Sequence, residues 1–425
     1  MSRGAVRAVM MNGLHGGARR KGVRRKGAWR KRALAAPRRL PAWRPALMRE
    51  ELSKVLRARA ILMLPLLALA LNAALLFGHL WLRPMMVEVD AVARDSGTLV
   101  DDSFLRALAA RPESEMEDRL LASAESMDTD SVLEHAHTSA QYGIDRMDTS
   151  LARGLASVKY DLWLDCAESL ERTGSAISVY AGPVTHDLHD FLFGTVVPVL
   201  IAEASLVGIS AVLYASELDA RTGAFAVVAA SALGRRAPLP RLAAALVTAL
   251  IAYALIGTVT LGVSAFVLGW GVGPAWGSSV ASAFNVVVQG ASARPFIPWR
   301  DCTVASYGAL SLAVGALVVA GLTVMAHAVS MTFERSEIRV ACLAVCIFLP
   351  LALCRFCVLQ GFSTAAALLA GAPAMLLTLS SQWFTDLGTY GLVPYEESIF
   401  AVFNVVVWGV AGYGAFRAWM RRDVA

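Results

Sequence analysis

The chain has 425 residues, 56% of them hydrophobic and only 17% charged, with a formal net charge of +6. Several near-uninterrupted apolar runs exclude a soluble globular protein and point to an integral membrane protein. The charge is also segregated. Residues 1–59 hold about 18 Lys and Arg against Glu50 and Glu51, whereas 83–190 hold about 21 acids against about 9 basic residues.

Residues 1–47 read as a basic, disordered cytoplasmic tail, and Met48 offers an alternative start. The run GARRKGVRRKGAWRKR suits anionic lipid better than nucleic acid, because membrane flanks are basic by default. Residues 48–59, with Leu52, Val55 and Leu56 on one face, predict a short interfacial helix. The apolar run 60–82 is long enough to cross a bilayer. It lacks a small-residue cleavage pattern and is expected to remain as an anchor.

The acidic segment 83–190 predicts two or three helices in a hairpin or small bundle, broken at Pro112 and at Ala181-Gly182-Pro183. Further spans are expected at about 191–214, 241–269, 303–329, 338–358 and 397–418, so that 191–425 carries five of the six crossings. Between the second and third lies 214–241, and between the last two lies an apolar stretch, 363–379. That stretch is broken at Gly371 and Pro373, and it reads as a re-entrant segment rather than a seventh crossing. The fold class is therefore all-α, six transmembrane helices with a helical extracellular domain between the first and second. Basic flanks place both termini in the cytoplasm, with Arg417, Arg421 and Arg422 at the carboxyl end.

Chemistry-bearing residues are sparse. No nucleophile, paired-carboxylate or HExxH constellation occurs, so no catalytic residue, bound cofactor or metal is expected. Glu203 stands well inside an apolar span, either on a substrate path or in a hydrogen-bonded helix–helix contact. In the first case Glu203→Gln inserts normally and alters transport. His135, His137, His186 and His189 lie in the outer segment and offer groups a zinc site could use, but His186 and His189, three residues apart near the membrane surface, are expected to be solvated. Arg355 is expected to snorkel to the headgroups. Cys354 and Cys357 form a CxxC in a lipid-facing setting, and a Cys166–Cys302 bridge is open.

The stretch 214–241 is the most specific. It carries Glu217 and Arg221, then Thr222-Gly223, a run of small apolar residues, and Gly234-Arg235-Arg236. With six spans and both ends inside, this resembles the type-2 ABC transporter permease family. There an acid, a Gly-Thr-like pair, small apolar residues and a Gly-Arg step mark the second-to-third cytoplasmic loop. The resemblance implies that 217–234 is a coupling helix docking on a separate cytosolic ATPase, flanked by 48–59, and that 363–379 matches the short external helices before the last span. It further implies a second permease copy, as homodimer or heterodimer, and ATP-Mg bound in the partner.

One elementary point agrees. A P-loop needs a lysine after glycine, and the five lysines (Lys21, Lys26, Lys31, Lys54 and Lys159) include none. A receptor or scaffold with a ligand-binding ectodomain, and a force-transmitting relative of the permeases, are the competing readings.

Overall fold

The computed structural model describes residues 45–110, 118, 131–222, 234–270, 273–285 and 296–421. The basic tail, Pro112, Gly223 and the apolar part of the 214–241 stretch lie outside the described residues.

The chain is all-α, and no strand forms among the described residues. Six helices are long and apolar enough to cross a membrane: Arg59–Gly78, Val184–Leu218, Pro238–Leu268, Val304–Thr332, Ser336–Leu359 and Glu396–Arg421. This is a multi-pass membrane protein.

Helix α1 (Pro45–Arg57) is set off from α2 (Arg59–Gly78) by a single extended residue, Ala58. The chain then turns at His79 into α3 (Leu82–Ser96) and α4 (Asp102–Ala109). Asp101 caps α4 by accepting from the backbone N–H of Ser103 at 2.9 Å and Phe104 at 2.8 Å. Helices α5 (Ser131–Asp145) and α6 (Ser150–Thr173) pack together as a hairpin. Gly174, at φ 65°, closes α6 in the left-handed conformation that a side chain resists. The described part of the insertion therefore holds four helices, more than the two or three expected.

The second span is longer than its hydropathy suggests. It starts as α7 (Pro183–His189), passes through a π-helical turn at Asp190–Val196 and continues as α8 (Val197–Arg221). Residues 184–190 thus continue the same helix as the span. At the other end, Glu217 and Arg221 are the last turn of the same helix rather than part of a separate one. Helix α9 (Pro238–Leu268) opens on two prolines, which fit a first turn because its N–H groups need no helical partner.

Helix α10 (Val304–Thr332) is the centre of the bundle. It packs on α8, α9 and the last span, α14 (Glu396–Arg421). Of its most apolar stretch 61% is buried, against 11% for α11 (Ser336–Leu359). Small residues let the backbones approach. A Cβ on Gly208 of α8 would meet Thr323 of α10 and Ala249 of α9, and one on Gly315 of α10 would meet Tyr253 and Ile201.

By contrast α11 stands at the periphery, with Phe348, Leu353 and Phe356 facing outward as lipid-facing residues do. It is held mainly by two short helices, α12 (Ser363–Ala370) and α13 (Pro373–Thr378). These two are the stretch 363–379, broken at Gly371 and Ala372.

Candidate functional site

Three sets of polar residues stand out from the apolar bundle. The first gathers at the α1 end. Glu51, buried, lies between Lys54 Nζ at 2.7 Å and Arg241 Nε at 3.3 Å, which ties α1 to the start of α9. Arg241 acts electrostatically on His327 of α10 and on Arg339 of α11. Arg339 donates to the carbonyl of Phe333 at 2.8 Å and feels the charges of Glu217 and Glu334. Glu217 in turn pairs with Arg221 at 2.6 Å. Gly234, Arg235 and Arg236 form a short 3-10 turn leading into α9.

Of the residues singled out from sequence, Glu217, Arg221, Thr222, Gly234, Arg235 and Arg236 therefore flank one end of the bundle, and Gly223 lies outside the described residues. From the sequence Arg241 stands with Arg235 and Arg236 as a contact to ATPase acids or a positive-inside flank; sequence reasoning misses Glu51 and the ion pair between the two. The available signal is a buried-face acid on an amphipathic helix and an arginine just inside a span.

The second set lies within the spans. Asn72 of α2 donates from Nδ2 to Glu203 Oε2 of α8 at 3.0 Å and to Thr260 Oγ1 of α9 at 3.0 Å. Glu203 is half-buried, and the amide of Asn72 joins three helices at one point. The geometry is that of a hydrogen-bonded helix–helix contact, with one oxygen of Glu203 still unpartnered among the described residues. Asn72→Leu is expected to lower stability by about 1–2 kcal/mol, because it orphans two buried groups. Glu203→Gln, which keeps an acceptor for Asn72, is expected to be near neutral. Thermal unfolding of the purified protein checks both.

The third set fastens the insertion to the segment before α14. Lys159, fully buried on α6, places Nζ 2.7 Å from Asp386 Oδ1 and 2.9 Å from the carbonyl of Gly391. Tyr160 donates to the other oxygen of Asp386 at 3.0 Å. Burial and that carboxylate push the Tyr160 phenol well above its usual range, so it remains a donor. Beside it, Trp163 Nε1 donates to the carbonyl of Ile297 at 2.6 Å.

A second fastening lies at the α5–α6 turn. Asp148 accepts from Ser363 Oγ at 3.0 Å and from the N–H and hydroxyl of Thr364, so it caps α12. The hydrogen bond from Thr364 lowers the Asp148 pKa, aided by Ser363. A folded-state pKa below the unfolded value of about 3.9 gives a contribution that is complete above that value. It is lost as pH falls through the folded-state pKa. The protection of amides 363–370 against hydrogen exchange, relative to their intrinsic rates at each pH, is therefore expected to fall as pH drops through the folded-state pKa in the wild type, and to be low already at pH 7 in Asp148→Asn.

Some expectations are corrected. His189 is not solvated: it is buried among Phe193, Phe284, Phe296 and Tyr307, because the π-helical turn swings α7 inward. Cys354 does not face lipid. It is fully buried under α12 and donates to the carbonyl of Ala366 at 3.3 Å. Cys166 and Cys302 are free thiols, and burial pushes the Cys166 pKa up to about 11. Arg355 is exposed. Comparison with protein-family models, curated proteins and solved structures finds no match to this chain.

Proposed function

We propose that the chain is the membrane-spanning permease subunit of a type-2 ABC transporter, an exporter in the cell membrane with both termini in the cytoplasm. Two copies, or one copy with a related permease, form the pathway. Separate cytosolic P-loop ATPases, which bind ATP and Mg, dock on 214–241. Alternating access follows when their closure pushes on the docked stretch and tilts the spans.

The observation that carries this reading is the charged meeting point at the α1 end. There Glu51 of α1 pairs with Arg241 in the first turn of α9, while Arg339 in the first turn of α11 feels the charges of Arg241 and of Glu217 in the last turn of α8. A push on 217–236 delivered there meets the Glu51–Arg241 ion pair that joins α1 to α9, and the charges around Arg339 at the start of α11. A flexible loop would dissipate it.

The test is affinity purification of the tagged chain from its native membrane with mass spectrometry of its companions. A stoichiometric P-loop ATPase, lost when Arg235 and Arg236 are both changed to Glu, is the expected result. Absence of any ATPase under gentle detergent conditions overturns it and favours a receptor or scaffold.

A further inference from the structure

A cavity of about 410 Å³ lies at the insertion end of the bundle, between the second span, α9 and α10. Its walls are apolar, formed by Leu192, Val197, Leu261, Ala265, Gly308 and Leu312. It falls within the range of about 300–1,000 Å³ that small ligands use. Water finds few partners on such walls, whereas a single hydrocarbon chain matches them.

Three polar side chains line this cavity, two of them the neighbouring indoles of Trp270 and Trp276. Trp270 and Trp276 line it, and neither indole N–H has a partner among the described residues. Trp270 is only 6% exposed, so water does not readily satisfy it. His189 also lines the cavity and is 4% exposed. Its Nε2 lies 2.9 Å from the carbonyl oxygen of Ser381, which only accepts, so Nε2 carries the proton. In a neutral ring Nδ1 is then an acceptor, and it too is unpartnered. The cavity thus offers two buried donors and one buried acceptor beside apolar walls. Among the described residues no Lys or Arg lines it, which favours an uncharged head over an anionic phosphate or carboxylate.

We propose that this cavity binds a single-chain acyl amphiphile whose uncharged head presents an ester or amide carbonyl to the indoles and a hydroxyl to His189. The proposal deepens the permease reading by naming a cargo class. It rests on that reading only in calling the ligand cargo, because binding itself requires no ATPase.

The experiment uses the purified full chain in phosphatidylcholine nanodiscs and a monoacylglycerol with a photoreactive group in its acyl chain. Saturable labelling is expected on peptides covering 188–197, 261–270 and 304–312. Unlabelled monoacylglycerol should compete at least tenfold better than added phosphatidylcholine. Gly308 supplies a handle, because a Cβ built there meets nothing closer than Phe193 Cζ at 3.9 Å. Gly308→Leu extends a side chain into the cavity and is expected to cut labelling there about tenfold, leaving labelling of the exposed face of 336–359 unchanged.

Should that variant fail to fold, the pair Trp270→Phe and Trp276→Phe, which removes both indole N–H groups and keeps an aromatic ring at each position, decides. It is expected to raise the half-competing concentration about three- to tenfold for each hydrogen bond lost. Labelling spread evenly over all lipid-facing surfaces, or competed equally by phosphatidylcholine, overturns the proposal and leaves ordinary bilayer lipid as the occupant. Neither outcome bears on whether an ATPase co-purifies, so the two readings fail separately.

Discussion

Lys159→Met is expected to destabilise the protein by about 3–5 kcal/mol, the cost of leaving one member of a buried ion pair without its partner. The side chain of Lys159 is fully buried and that of Asp386 is 13% exposed, so water does little to screen either. Removing the ammonium also orphans the carbonyl of Gly391 and forfeits its cation–π contact, 4.3 Å from the centroid of the Tyr160 ring. Tyr160 and the N–H of Gly388 remain on Asp386, but neither neutralises it. Lys159→Met combined with Asp386→Leu is expected to recover most of the loss, since replacing both members by apolar groups is often neutral. Denaturant unfolding of the purified protein, followed by near-ultraviolet circular dichroism, measures all three. Equal stability of the single variant and the wild type would refute the assignment.

The second large effect is expected at Glu51. Glu51→Leu leaves Arg241, whose side chain is 11% exposed, without its carboxylate, at a cost of about 3 kcal/mol. It also removes the ion pair between α1 and α9, leaving apolar packing, with Val55 buried, to hold this amphipathic helix against the bundle. The double variant Glu51→Leu, Arg241→Met is expected to regain stability without regaining function. On the proposed function, capture of the ATPase should fall at least tenfold in both variants. A variant that is stable and still captures ATPase in full would separate α1 from coupling.

The spans are legible because an uninterrupted apolar run of about 20 residues has few other homes. Their ends are less so, and the second shows why. His186, Asp187, His189 and Asp190 read as a polar stretch outside the membrane, yet the chain there is already in the helix that crosses. A π-helical turn admits one extra residue, rotates the preceding turn and sends His189 inward. Periodicity at 3.6 residues does not anticipate such a rotation. Cys354 is misjudged for a related reason. Its own helix is peripheral, and only the later α12, folded back over it, buries that position.

The polar sets divide the same way. Glu203 is visible as an acid in an apolar run, and its partner Asn72 is a polar residue in another such run. Nothing local announces that the two meet. Lys159 is the single lysine after Lys54, a rarity that marks it. Asp386 lies among ordinary loop residues, 227 positions away, and only the tertiary fold pairs them. The 214–241 motif is legible as a pattern, and the ion pairs that flank it are not.

The same separation governs the order in which the chain matures. Residues 148 and 159 leave the ribosome more than 200 positions before Ser363 and Asp386. Until then the ammonium of Lys159 has no counter-charge, and the α5–α6 hairpin has nothing to dock against. Domains generally fold as they are synthesised, but this one waits for the segment that precedes the final crossing. A nascent chain arrested after 359 therefore carries an unfinished insertion, open to proteases and chaperones. Release of the next 40 residues closes it.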